Sequence, residues 1–410
     1  MHGTNSAPTT QPLVWLLMGD KHGDNAQLLA LGRALGWRVV TKALHYDEGY
    51  PISYRKRGCS LQGVDLARSD ALLAPWPDII IGIGQRSASV SRWIKQQTGD
   101  RALNIRLGRP RTDLRHFDLI VSTLQYGLPK SARTMLLTLP ITKFDEDDRQ
   151  RLIDAWHDRL ASLPKPWTVV LIGGKNQRLR LDRAVASDIL KTARAYHDRR
   201  GGSILMTTSP RTPTSVGRHL EHLLAETCQD LPNFMFRWVP DAPNPYVAML
   251  SGADAVIVTN DTVSMVADAA ALAKPLLVYE LPQKSTFKKA KLFRPLIRAF
   301  CHWMAARRES GRQPTLLDTC YAHLTNIGVI RPPRNIAMVF RRLSRRGAIR
   351  PVHTMQAGSA VASHTMSSEL NAVIARIHRL HAENSGVPLT VLQRQNFDTQ
   401  ELRVDLPAKS

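Results

Sequence analysis

Leu13-Val14-Trp15-Leu16-Leu17-Met18 is an unbroken apolar run, Gly19-Asp20-Lys21-His22-Gly23-Asp24-Asn25 follows it, and residues 26–35 then repeat apolar side chains at helical spacing until Gly36. Six apolar residues without polar alternation predict a strand buried on both faces, followed by a loop and a helix. The pattern recurs further along the chain. Residues 77–82 (Pro-Asp-Ile-Ile-Ile-Gly) read as a buried strand with a helix over 89–97, and residues 118–122 and 135–138 read as two more strands. Buried strands alternating with helices predict a parallel sheet covered on both faces.

A charged helix is expected over 145–163, and Pro164-Lys165-Pro166 reads as a hinge or linker. A second alternating series then starts. Its expected strands are 168–172, 203–208, 233–238, 255–259 and 276–281, with helices over 183–199, 215–227, 246–251 and 263–273. The architecture predicted is α/β, with doubly wound domains over 1–163 and 164–330 and a basic C-terminal extension over 331–410, where 367–382 carries a helical pattern. A chain of 410 residues fits two domains of ordinary size.

The formal charge is +22, and residues 281–350 hold 16 Lys and Arg against the two acids Glu309 and Asp318, a net of +14. Nucleic acid, an anionic membrane surface and acidic substrates are all attracted by such a field, and charge alone does not choose among them. The stretch that begins at Phe287 and ends at Arg308 is basic and partly amphipathic. It fits a helix lying on anionic headgroups or a solvated helix returning to the first domain. The four cysteines share no CxxC spacing, which fits reduced thiols and a cytoplasmic location, peripheral to a membrane at most. The polar residues 1–11 do not resemble a signal peptide, and no stretch is long enough to cross a bilayer. HExxH, GxxxxGK[ST], GxSxG and a helix-opening GxGxxG are all missing, so neither a metal site nor a cofactor is expected.

Ligands of open parallel sheets bind where strands end at their carboxyl edge, which singles out three loops of the second domain. Gly173-Gly174-Lys175-Asn176 offers bare amides and a lysine. Thr208-Ser209-Pro210-Arg211 brings a guanidinium. Asn260-Asp261-Thr262-Val263-Ser264 enters a helix directly, with Asp261 or Thr262 as N-cap and Ser264 and Asp268 four residues apart on one helix face. Asp268 in this position suits a ribose hydroxyl, or is a solvated charge beside a merely capped helix. In the first domain, Asp20, Lys21, His22 and Asp24 crowd one loop. His22 or Asp24 is the candidate general base for an acceptor hydroxyl, the plainer alternative being a solvated turn with Asp24 as cap. Gly82-Ile83-Gly84-Gln85-Arg86-Ser87 and Gly108-Arg109-Pro110-Arg111 stand at equivalent places, so Arg86 and Ser87 either complete an acceptor side with Asp20 and Lys21 or form tight turns.

Residues 19–27 followed by 28–36 resemble the start of the "elongated mitochondria" fission family. So do Thr208-Ser209-Pro210-Arg211-Thr212, and the series from Asn244-Pro245-Tyr246 through Val258-Thr259-Asn260-Asp261-Thr262-Val263-Ser264-Met265 to Ala273-Lys274-Pro275. The matches follow family order over roughly 13–290. The resemblance implies a GT-B-like arrangement of two Rossmann-like domains facing a cleft, with the nucleotide mostly on the second and the acceptor on the first. It implies that Ser209, Arg211, Asp261, Ser264 and Asp268 face a nucleotide diphosphate and ribose. The family usually has Glu-Asp-Ser where this chain has Asn260-Asp261-Thr262, and Glu in place of Asp268. Bacterial relatives are regarded as glycosyltransferases of envelope polysaccharide or lipopolysaccharide assembly, and the plant member acts in mitochondrial fission. The expected function is therefore metal-independent transfer of a sugar from a nucleotide-sugar donor to an envelope or lipid-linked acceptor. The alternatives are a non-catalytic, membrane-associated scaffold and, on charge alone, a nucleic-acid binder.

Overall fold

The computed structural model describes residues 11–47, 58–110, 112–129, 131–174, 178–284, 300–301, 303–304, 315–330, 332–356 and 361–386, with side chains of the last segment from 364 onward. The chain forms two compact units. The first comprises Met1–Leu137, Cys301–Pro333 and Glu369–Ser410, and the second Thr138–Phe300 and Arg334–Ser368. The anticipated boundary at 163/164 thus falls inside the second unit, and the C-terminal residues are divided between the two.

In the first unit six parallel strands, β1 (Leu13–Met18), β2 (Arg38–Ala43), β3 (Ile79–Ile83), β4 (Leu103–Leu107), β5 (Leu119–Thr123) and β6 (Thr134–Leu137), form a sheet of order β2-β1-β3-β4-β5-β6. Helices α1 (His22–Ala34) and α2 (Ser87–Gln97) follow β1 and β3. Trp15, Leu17, Ile80, Val90 and Ile94 share one apolar cluster between sheet and helix. Helix α1 opens four residues earlier than the apolar pattern suggests, because the Lys21 carbonyl accepts the amides of Asp24 and Asn25 at 3.0 Å. His22, Gly23, Asp24 and Asn25 are therefore the first turn of a helix rather than a loop.

The second unit holds β7 (Trp167–Ile172), β8 (Ser203–Thr208), β9 (Asn233–Phe236), β10 (Ala255–Thr259), β11 (Leu276–Tyr279) and the two-residue β12 (Arg350–Pro351), all parallel, in the order β12-β11-β10-β7-β8-β9. The charged segment expected as one helix is two, α3 (Glu146–Asp154) and α4 (His157–Ala161). Helices α5 (Arg183–Arg200), α6 (Thr214–Thr227), α7 (Tyr246–Gly252) and α8 (Val263–Ala271) alternate with the strands. Every residue of β7, β8, β10 and β11 is buried, which requires cover on both faces of the sheet. Pro164-Lys165-Pro166 is no free hinge. Ser203 bonds the Pro164 carbonyl through its hydroxyl (2.6 Å) and the Pro166 carbonyl through its amide (3.0 Å).

Past β11 the described chain adds α9 (Leu316–Asn326), α10 (Ile336–Arg345) and α11 (Val361–Ser385). No helix among the described residues is long and apolar enough to cross a membrane. Most of the basic stretch from Phe287 to Arg308 lies outside the described residues.

Candidate functional site

In the second unit the connections run from β7 to β8 and β9 on one side and from β10 to β11 and β12 on the other, so the sheet order reverses between β7 and β10. That switch point is where an open parallel sheet leaves a crevice at its carboxyl edge. The loops after Ile172, Thr208 and Thr259 meet there and are bonded into one body. The Gly173 amide donates to Thr259 Oγ1 (2.8 Å), and the Thr259 hydroxyl donates to Asp261 Oδ1 (2.6 Å). The Gly174 amide donates to Asp261 Oδ2 (2.6 Å). Thr212 Oγ1 accepts the Ser209 amide (2.9 Å) and donates to the Gly173 carbonyl.

The two glycines are there because the loops approach so closely. A Cβ on Gly173 would lie 2.2 Å from Asp261 Oδ1, and one on Gly174 2.2 Å from the Arg211 carbonyl carbon. Asp261 is 1% exposed, and burial raises its pKa against the opposing hydrogen bonds from Thr259 and Gly174 and the Arg211 charge. Its carboxylate therefore satisfies the very amide expected to cradle a phosphate.

Ser209 is buried, with its hydroxyl 3.0 Å from Thr212 Oγ1, whereas the Arg211 side chain is exposed at the rim. Thr262 caps α8, accepting the Met265 amide at 3.5 Å, and Ser264 is exposed with its hydroxyl 3.3 Å from that of Thr262. Asn260 turns toward β11, where its side chain accepts the Leu281 amide (3.1 Å). Asp268 sits one turn beyond Ser264, and its two oxygens accept from the Tyr246 hydroxyl (2.9 Å) and Thr142 Oγ1 (3.3 Å). Burial pushes its pKa up to about 6 despite those two donors. It is not a solvated charge. Gly174, Ser209, Arg211 and Asp261 are thus brought together directly, Thr262 and Ser264 stand at the adjoining helix start, and Asn260 and Asp268 are engaged elsewhere. Lys175 lies outside the described residues.

Thr259, Thr212, Tyr246 and Thr142 were not singled out from residue chemistry, yet they hold this arrangement in place. The first three lie within the stretches that carry the family resemblance. Nothing in the sequence marks Thr142.

The first unit reverses its order between β1 and β3. Asn25 clips the turn after β1, accepting the Gly19 amide (3.0 Å) and donating to the Gly19 carbonyl (2.7 Å). Asp20 pairs with Arg86 at 3.2 Å, both well exposed, and the Arg86 guanidinium lies over the Tyr46 ring at 5.3 Å. Ser87 is buried and donates to the Ile83 carbonyl (2.8 Å), a tie within its own turn. His22 and Lys21 are exposed. Asp24 is partly buried, and desolvation raises its pKa against the charges of Lys21 and Arg106.

Arg106 is the residue the sequence reading missed. It is fully buried on β4, donates to the Gly84 carbonyl, and lies 5.6 Å over the Phe117 ring. A Cβ on Gly82 would lie 2.5 Å from one of its terminal nitrogens, so the β3 glycine makes room for it. The signal was a charge inside the apolar run Leu103-Asn104-Ile105-Arg106-Leu107, because an arginine at the centre of a parallel sheet is rare without a partner. Asp24 consequently has a buried cation beneath it. Burial thus favours the protonated form of Asp24, and the Arg106 charge opposes it.

Among curated proteins the chain is 28% identical over 275 residues to the mitochondrial fission protein ELM1 of Arabidopsis thaliana, covering 60% of this chain and 62% of that protein. It therefore spans less than two thirds of that relative's length. An uncharacterized protein of Rickettsia prowazekii is 22% identical over 324 residues, 67% of this chain and 85% of its own. Similar solved structures include a UDP-GlcNAc 2-epimerase from Methanocaldococcus jannaschii (TM-score 0.41, 10% identity, 65% of this chain and 83% of that one). A glycosyltransferase from Rickettsia africae also matches (TM-score 0.41, 10% identity, 91% and 98%). Residues 22–318, most of the chain, match the model of the family described as Mitochondrial fission ELM1, and this protein belongs to that family.

Proposed function

We propose that the protein is a glycosyltransferase that takes its sugar from a nucleotide-sugar donor held at the carboxyl edge of the second unit. The observation that carries this reading is the crevice between β7 and β10, where three loops are locked together and Arg211 and Ser264 are left exposed at its rim. A leaving diphosphate gains there from the Arg211 guanidinium and the positive end of α8. Asp24 is the proposed base for the acceptor hydroxyl, since a desolvated carboxylate with a raised pKa holds a proton closer to neutrality than a free one. The acceptor class proposed is an envelope polysaccharide or lipid-linked saccharide. The basic stretch from Phe287 to Arg308 would bring the enzyme to the anionic cytoplasmic surface that carries it.

A second reading, a membrane-associated scaffold without catalysis that recruits protein partners, is favoured by one observation: the Gly174 amide is already taken by Asp261. A thermal-shift series with nucleoside diphosphates and their sugars separates the two. The enzyme reading expects a uridine or guanosine diphosphate to raise the melting temperature, with the rise lost in Arg211→Ala. No response to any nucleoside diphosphate would sink it and leave the scaffold.

A further inference from the structure

Helices α5 and α6 start at the same carboxyl edge and pack side by side, and between their first turns lies a pocket of about 340 Å³. It is lined by Arg183, Thr214, Ser215, Arg218, His219 and His222, four basic side chains and two hydroxyls with no carboxylate in the wall. None of these residues belongs to the crevice loops. Among the described residues neither the Arg183 nor the Arg218 guanidinium makes a hydrogen bond or ion pair, although both are exposed and Asp182 and Glu226 stand close in sequence. Asp182 is committed to the Val185 amide (3.0 Å) and to Arg180 (3.4 Å), and Glu226 to His222 (3.1 Å). His219 is held by Ser187 Oγ at 2.9 Å, which fixes its ring in the wall. Helix α6 follows Pro213 and has no side-chain cap; the Pro213 carbonyl accepts the Val216 (2.9 Å) and Gly217 (3.1 Å) amides, and the Thr214 and Ser215 amides precede these in the first turn.

Two unengaged guanidiniums line one pocket from adjacent helices, Arg183 at the first position of α5 and Arg218 in the second turn of α6, and together they present a cationic wall to an anion. The concave shape, the size and the two hydroxyl donors suit a ligand larger than a single small ion. We infer that this pocket is a second anion site, which binds a compact polyanion of the diphosphate or bisphosphate type independently of the β7–β10 crevice. Arg183 and Arg218 each take one anionic group in forked hydrogen bonds, and Thr214 and Ser215 supply hydroxyl and amide donors. A diphosphate or bisphosphate is found both on soluble phosphorylated metabolites and on multiply phosphorylated lipid headgroups.

The test is titration calorimetry of the full chain with inorganic pyrophosphate at low ionic strength, in wild type, Arg183→Gln, Arg218→Gln, the double variant and Arg211→Ala. Both arginines are exposed, so the variants should fold, and circular dichroism checks this. Each guanidinium removed is expected to weaken binding by roughly tenfold, the scale of one charge-assisted hydrogen bond, and Arg211→Ala to leave this site unchanged. Equal binding in the wild type and the double variant, no binding by the wild type of either pyrophosphate in solution or the bisphosphate lipid on vesicles, or loss through Arg211→Ala alone would each overturn the site. Co-sedimentation with phosphatidylcholine vesicles, with and without phosphatidylinositol bisphosphate, identifies the source. Capture that depends on both arginines assigns the phosphate to a headgroup, and binding of free pyrophosphate without capture assigns it to a soluble ligand.

Discussion

At the scale of single residues, Asp268 and Gly173 make opposite kinds of demand on the fold. Asp268 is a carboxyl whose pKa burial lifts from 3.8 to about 6. A carboxyl raised on folding binds its proton more tightly in the native chain, so it contributes stability that is fully present below pH 3.8 and lost as pH rises through about 6. Asp268→Asn keeps an acceptor for Tyr246 and carries no charge. It should leave stability at about pH 4 nearly unchanged and raise it by up to about 3 kcal/mol near pH 8. Urea midpoints across that range measure the difference, and a gain independent of pH would remove Asp268 as the titrating group. Gly173 is demanding for steric reasons. Its missing Cβ would sit 2.2 Å from Oδ1 of Asp261, a buried carboxylate whose two oxygens each have a hydrogen bond to lose. Gly173→Ala should cost about 1–3 kcal/mol or more and weaken nucleotide binding. Gly23→Ala, which meets nothing within 4 Å, should melt like the wild type or slightly higher.

At the scale of elements, strands free of charged residues were legible, and those carrying a charge were not. β1, β3, β7, β8 and β10 read directly from their composition. β2 has the sequence Arg-Val-Val-Thr-Lys-Ala and lies at a sheet edge, so it lacks the all-apolar signature. β4 hides behind Asn104 and Arg106, both fully buried. The crevice loops were legible as candidates because loop position follows from strand ends. The bond from Gly174 to Asp261 was not, since it joins residues 87 positions apart. Helix α11 shows the same limit: its periodicity announces a helix but not where it docks. His378 stacks on Trp37 at 4.2 Å and 17°, with His381 edge-on at 5.4 Å, and burial lowers both imidazole pKa values from 6.5. A depressed imidazole contributes stability that is present above pH 6.5 and lost as pH falls below it. Amide protection factors over 364–386, taken against the intrinsic base-catalysed exchange rate at each pH, should therefore fall as pH is lowered from about 7.5 to about 5.5. The double change His378→Phe and His381→Leu should abolish that fall, and an unchanged pH dependence of protection would place its cause elsewhere.

At the scale of the whole molecule, the chain does not build its units in succession. It leaves the first unit at Leu137, returns at Cys301, leaves again after Pro333 and returns once more at Glu369. A division at 163/164, natural from the sequence pattern, would give a first fragment without the residues that cover Trp37. Trp37 is 2% exposed, and the helix that covers it bonds through His378 to the Leu35 carbonyl at 3.2 Å, across 343 positions of chain. Val373 and Ile377 of the same helix are fully buried. Exposing one face of a tryptophan with its aliphatic neighbours costs about 2–5 kcal/mol, a large share of the roughly 5–15 kcal/mol that holds an ordinary domain together. A fragment of residues 1–163 should therefore melt without a sharp transition and show red-shifted tryptophan emission. A peptide of residues 361–386 added in trans should restore both, and the same peptide with Ile377→Asp should not, because it would place an unpaired carboxylate where a fully buried side chain now sits. Cooperative melting of the bare fragment would show instead that strands β1 to β6 supply enough core without help from the C-terminal helix.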